Sequence, residues 1–367
     1  MKNSVNMMHM HGGDLDAIEQ KYGIPKNEII DFSGNINPMG FPESVKDSLI
    51  KNIDIVSTYP DKNYTSLRES IAEYTCADAQ NITVGNGSTE LISVFIKSEN
   101  PKKSVIMGPA YSEYENELRS LGSEIVYFPL KEKENFRLNL PKLLEYLTWD
   151  VDMLVLCNPN NPTGTAITVG QMDEILKHCQ ENDIAVMVDE TYIEFSDNLP
   201  EICSIPLTRK YHNLFVIRGI AKFFAAPGLR LGYGITKSKS FHNIIAKNQN
   251  PWSVNILASF AGERLFADRD FITDAKKLIS SERKKIFDEL STWKNIKAYP
   301  SSSNFILIKL LTNKTDAAEI FEKLIVKKML VRDASSFEFL DESYIRFCIM
   351  SPEDNKRLLE ELKKIIE

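Results

Sequence analysis

Four short apolar runs, Ser104–Met107, Met153–Cys157, Ile184–Val188 and Leu214–Ile217, alternate with stretches whose apolar residues recur at helical spacing, such as Ser112–Leu121 and Val169–Glu181. A short apolar run without polar alternation is a strand buried on both faces. Strands of that kind separated by helices form a mostly parallel sheet covered on both sides. The sequence predicts an α/β fold of this class for the middle of the chain. The 367 residues are enough for about two domains.

The two ends read differently. Two short helical patterns flank a turn-rich Asp31–Gly40 segment. After about Asp270 come a long helix, strand-like Phe305–Ile308, a helix near Ala317–Val326, strand-like Met329–Arg332 and Tyr344–Ile349, and an amphipathic helix from Pro352. The expected division is residues 1–55 as an N-terminal arm and part of a small unit, 56–268 as the large domain, and 269–367 as the rest of the small α+β unit. No repeat or low-complexity linker interrupts it.

The formal charge of −7 and isoelectric point near 5.5 argue against a general nucleic-acid surface, so an anionic ligand must meet local arginines and lysines. No apolar run approaches the ~18 residues of a membrane span, and the polar start lacks a signal-peptide core. The five cysteines are scattered without paired spacing. That pattern predicts a reduced, cytoplasmic setting and no metal site.

Three segments carry chemistry. Cys157-Asn158-Pro159-Asn160-Asn161-Pro162-Thr163-Gly164 directly follows an apolar run, and its prolines and asparagines stop a strand in a rigid turn. Ligands of open α/β sheets bind at such carboxyl ends. Ile184 to Glu190 delivers Asp189 to the same edge, where a carboxylate can pair with a protonated pyridine nitrogen. In Val216 to Tyr233, Lys222 lies among apolar neighbours that disfavour its ammonium form, and Arg230 offers a fork of donors to a phosphate. Upstream, Ser88-Thr89-Glu90 after Gly85-Asn86-Gly87 reads as the cap of a helix.

In this order the motifs resemble the fold-type-I pyridoxal 5′-phosphate (PLP) enzymes of the class I/II aminotransferase group, over essentially the whole chain. The resemblance implies a large PLP-binding domain, a smaller α+β domain built from both ends, and a homodimer with shared active sites. It makes Lys222 the Schiff-base lysine, Asp189 the partner of the ring nitrogen, and Asn161 and Tyr192 donors to the ring hydroxyl. Tyr111 would stack on the ring. Gly87, Ser88, Thr89 and Arg230 would hold the cofactor phosphate, joined by Tyr59 from a second subunit. Arg346 would bind the substrate carboxylate. Relatives usually carry Ser or Thr where this chain has Gly219 and Ala221, so two phosphate donors are missing.

His11-Gly12-Gly13, the Asp31–Pro38 segment with Gly34 and Asn35, Pro251-Trp252-Ser253-Val254-Asn255 and Val331–Phe337 are similar to the threonine-phosphate decarboxylase group of cobalamin biosynthesis. Histidinol-phosphate aminotransferases are the sister group. Tyr192 and Met350 depart from the decarboxylase pattern, which often has Phe and a basic residue there. The implied reaction is decarboxylation of an O-phosphorylated amino acid, threonine phosphate or serine phosphate. Arg332, Arg346, His11, Gly34 and Asn35 are its candidate substrate contacts, with pairing to Asp333 or Asp341 as the alternative role of Arg332. The alternatives are an aminotransferase of the histidinol-phosphate type and, more remotely, a non-catalytic regulator built on the PLP fold. Such regulators carry a DNA-binding domain ahead of that fold, for which the few dozen residues before Asp31 leave no room.

Overall fold

The structure, a computed structural model, describes residues 13–367. Strand β1 (Ile30–Asp31) precedes the main sheet. That sheet comprises β2 (Ile82–Gly85), β3 (Lys103–Gly108), β4 (Glu124–Pro129), β5 (Met153–Cys157), β6 (Ala185–Asp189), β7 (Leu214–Gly219) and β8 (Gly232–Ile235). Their spatial order is β2-β8-β7-β6-β5-β3-β4, and every neighbouring pair is parallel except those made by β8. Strands β5, β6 and β7 are buried along their whole length, as their unbroken apolar runs require. Helices Ser112–Ser120 and Val169–Glu181 lie close to their expected bounds, and Thr168 and Gln171 form a reciprocal capping box on the second.

Register sets the site. Cys157 is level with Asp189, and Asp189 with Ile217, so the segments leading to Asn161 and Lys222 and the acid itself emerge at one edge. At the same edge Gly85, Gly232 and Gly219 sit side by side across three strands. A Cβ on Gly232 would lie 2.4 Å from the Ser88 nitrogen. Its absence lets the helix Ser88–Glu99 start directly against the sheet.

The second sheet, antiparallel throughout, has the order β12-β13-β10-β9. Its strands are β9 (Ile296–Ala298), β10 (Phe305–Leu310), β12 (Arg332–Asp333) and β13 (Tyr344–Cys348). The single expected strand Met329–Arg332 divides in two. Its first part, β11 (Met329–Leu330), pairs in parallel with β1, and Val331 separates it from β12. The β1–β11 pair draws the Asp31–Pro38 segment against the C-terminal unit. The Asn37 N–H donates to the Lys222 carbonyl at 3.0 Å, and Asn37 Nδ2 to that of Phe223 at 2.8 Å. The helix Glu43–Lys51 packs on Ile256–Ala267. Among the described residues no helix is long and apolar enough to cross a membrane.

Candidate active site

A cleft of about 540 Å³ opens at the carboxyl edge of the main sheet and is roofed by β12 and β13. Of the residues singled out in the sequence, Gly34, Asn35, Ser88, Thr89, Tyr111, Asn161, Asp189, Tyr192, Lys222, Arg230, Arg332 and Arg346 all line it. Tyr59 does not; it is 81% exposed and meets the half-exposed Trp252 at a tilt of 41°, with ring centroids 5.1 Å apart. His11 falls outside the described residues.

Lys222 Nζ donates to the Gly34 carbonyl oxygen at 2.7 Å. That acceptor is aimed by Asp31. Its Oδ1 takes hydrogen bonds from the Ser33 N–H at 2.7 Å, the Ser33 hydroxyl at 2.6 Å and the Gly34 N–H at 3.1 Å, which bends the chain back on itself. Burial, and then the neighbouring Arg346 cation, lower the Lys222 pKa to about 8.

Asp189 is 5% exposed. Its Oδ1 accepts from the Thr191 N–H at 2.9 Å and the Thr191 hydroxyl at 2.5 Å, and its Oδ2 from the Tyr114 hydroxyl at 2.7 Å. Desolvation raises its pKa, and these three neutral donors work against the rise. Tyr114 and Thr191 also line the cleft and belong to no motif found in the sequence. Thr191 could have been anticipated as a turn donor two residues after the acid.

The helix start differs from the sequence expectation in detail. Gly87, at φ +81°, is the N-cap, and no side chain caps the helix. Ser88 and Thr89 face the cleft instead, while Glu90 reaches back to the Asn86 N–H at 2.6 Å. The Arg230 guanidinium lies where a Gly87 Cβ would be, 2.4 Å from Nη2. Free backbone N–H groups of a helix start and an adjacent guanidinium suit an anion. Tyr111 follows β3 and meets Tyr114 edge-on at 5.6 Å, and burial raises its hydroxyl pKa to about 12.

Arg346 is 4% exposed. Its Nη1 donates to Asn161 Oδ1 and its Nη2 to the Ser33 carbonyl at 2.7 Å, while its Nε has no partner. Arg332 is its registered neighbour on β12 and donates to the Ser336 hydroxyl at 2.6 Å. Burial, and then Arg346, bring the Arg332 pKa down to about 10. Asn35 Nδ2 donates to the Tyr192 hydroxyl at 3.3 Å, and Asn35 Oδ1 is buried without a partner.

The aminotransferase class I and II family matches residues 27–362. A Caldanaerobacter subterraneus protein, named provisionally as a threonine-phosphate decarboxylase, is 40% identical over 91% of this chain and 89% of its own length. The threonine-phosphate decarboxylase of Salmonella typhimurium is 33% identical over 97% of this chain and 96% of its own. The crystal structure of histidinol-phosphate aminotransferase from Clostridium acetobutylicum superposes with a TM-score of 0.85 at 32% identity, over 91% of this chain and 98% of that one. The match over residues 27–362 and these relatives, on a fold and cleft of this form, show that the chain belongs to the aminotransferase class I and II family of PLP-dependent enzymes.

Proposed function

We propose that this chain releases the α-carboxylate of an O-phosphorylated amino acid as carbon dioxide, in cobalamin-type biosynthesis, with L-threonine phosphate preferred. The observation that carries the reading is the pair Arg332 and Arg346. Like charges opposite each other on neighbouring strands destabilise a sheet, yet here they occupy one register position at the cleft. A substrate with a phosphate dianion at one end and a carboxylate at the other relieves both at once. The two relatives named for threonine-phosphate decarboxylation support the same choice.

The donor set fits PLP. Asp189 is a buried carboxylate held by neutral donors only, with no ion pair among the described residues, which suits a cationic ring nitrogen. Gly87, Ser88, Thr89 and Arg230 suit the phosphate, Tyr111 the ring face, and Asn161 and Tyr192 the ring hydroxyl. Lys222 supplies the amine that bears the cofactor. When bound, PLP supplies an electron sink for bond cleavage at the substrate's α-carbon.

The chain's own residues do the rest. With a pKa of about 8, the Lys222 amine is neutral in a usable fraction of molecules near neutral pH. The Gly34 carbonyl holds Nζ beside the cleft, from where it takes up or returns a proton at the α-carbon. Arg346 and Arg332 hold the two anionic ends of the substrate, and their spacing decides which bond at the α-carbon is presented for cleavage.

Tyr59 needs a second copy to reach a cleft. With Ile50, Ile53, Val56 and Trp252 it leaves an apolar surface exposed, which a homodimer would cover while delivering Tyr59 to the partner's cofactor phosphate.

The likeness to the Clostridium aminotransferase and the tyrosine at position 192 favour one rival, transamination of a phosphorylated amine. Product analysis decides. Threonine phosphate should yield carbon dioxide and 1-amino-2-propanol phosphate without any 2-oxo acid. Stoichiometric conversion of a 2-oxo acid to an amino acid, without carbon dioxide, would overturn the proposal.

A further inference from the structure

The helix Ser112–Ser120 carries two rings with different tasks. Tyr111, at its N-cap, lines the cleft, and Tyr114, one turn on and 1% exposed, lies edge-on beneath it. The Tyr114 hydroxyl ends 2.7 Å from Asp189 Oδ2, on the opposite side of the carboxylate from Thr191. The titratable groups facing this carboxylate are Tyr114, Tyr111, Tyr192 and the Cys157 thiol, all neutral at physiological pH because burial raises each of their pKa values. No described cation pairs with Asp189, so its charge rests on three neutral donors, and among the described residues Tyr114 supplies the only one to Oδ2.

We propose that Tyr114 is a positioning residue that acts through Asp189 to keep the proton of the cofactor's ring on the ring nitrogen. The proposal rests on the cofactor seat described above and holds for decarboxylation and transamination alike. The physical reason is basicity. A carboxylate that already accepts several hydrogen bonds is a weak base, so a proton shared with a pyridine nitrogen stays on nitrogen. Remove the donor to Oδ2 and the carboxylate becomes the stronger base, so the proton moves toward Asp189. The ring then loses the positive charge that makes it an electron sink. The hydroxyl of Tyr114 meets neither substrate nor the reacting carbon in this account; its effect passes entirely through Asp189.

Two spectroscopic readouts test this in Tyr114→Phe. The first is the 13C carboxyl resonance of Asp189 in cofactor-free protein. Its titration midpoint should lie about one to two pH units above wild type, the value of one charge-assisted hydrogen bond on the pKa scale. The second is the 15N resonance of ring-labelled PLP bound to the protein. It should sit at the pyridinium position in wild type and move toward neutral pyridine in the variant, with kcat falling and KM for substrate nearly unchanged. Tyr114→Leu, which removes the same donor with a different side chain, carries the test if Tyr114→Phe does not fold, and Thr191→Val, which deletes a donor from the other oxygen, should move both signals in the same direction. A pyridinium signal in wild type that Tyr114→Phe does not shift would overturn the role of Tyr114. A neutral pyridine signal already in wild type would instead overturn the placement of the ring nitrogen on Asp189, and the proposal with it.

Discussion

Replacing Arg346 by glutamine tests the substrate site in a way that can be worked out from the structure. Arg346 is 4% exposed, and its guanidinium spends two donors on Asn161 and Ser33, leaving Nε for a ligand. Glutamine keeps one amide donor, so the two acceptors are not both abandoned. Removing one partner of a buried charge pair costs ~2–5 kcal/mol. At 1.4 kcal/mol per decade, kcat/KM for threonine phosphate should fall by roughly 30-fold to a few thousandfold. The same cation is, after burial, the largest influence lowering the Lys222 pKa to about 8. The Lys222 midpoint should therefore rise in the variant, because one source of repulsion for its ammonium form is gone, although burial keeps it below the ordinary lysine value. The midpoint is read from the pH dependence of PLP addition to cofactor-free protein, and kcat/KM from carbon dioxide release. A kcat/KM within about threefold of wild type, or an unshifted Lys222 midpoint, would refute the reasoning that places this arginine between substrate and lysine.

Other outcomes follow from the same geometry. A Cβ at Gly219 would meet only ordinary contacts, 3.5 Å from the Leu231 carbonyl and 3.6 Å from Ser88 Cβ, so Gly219→Ser should tighten PLP binding in a titration of cofactor-free protein. Gly87→Ala should weaken it, since the new methyl group falls on Arg230 at a backbone φ of +81°. Lys222→Met should stabilise the cofactor-free protein. A buried lysine with a depressed pKa binds its proton less tightly folded than unfolded. The penalty is thus full below pH 8, of order ~3 kcal/mol, and fades as pH rises toward about 10.5, which denaturant melts across that window will show. Mixing inactive Tyr59→Phe and Lys222→Ala subunits should restore activity in hybrids, and none after verified subunit exchange would argue for sites built within one chain.

How much of this was legible in the sequence depends on what kind of signal each part leaves. Strands β5, β6 and β7 are buried on both faces and so announce themselves as unbroken apolar runs. Strand β8, Gly232-Tyr233-Gly234-Ile235, is half glycine, which reads as turn; its glycines are there because Ser88 and Phe215 press against the strand. Edge strand β4 has a partly exposed pattern without clear alternation. Within the cleft, Asp189 ends strand β6, Asn161 and Lys222 stand a few residues beyond β5 and β7, and Arg230 stands just before β8, so position along the chain already implies position at the sheet edge. The juxtaposition of Arg332 with Arg346 depends on the register of two strands that pair only after folding, and no spacing in the sequence reveals it. Tyr114 was hidden for a different reason. As a tyrosine on an amphipathic helix it looks like core, and only the direction of its hydroxyl toward Asp189 distinguishes it.

Every chemical role assigned here turns on Lys222 as the seat of the cofactor, and that is open to direct measurement. Protein loaded with PLP, reduced with borohydride, digested and mapped by mass spectrometry should carry the pyridoxyl group on the peptide containing Lys222, and Lys222→Ala should carry none. Fixation at another lysine, or undiminished fixation in Lys222→Ala, would contradict the account.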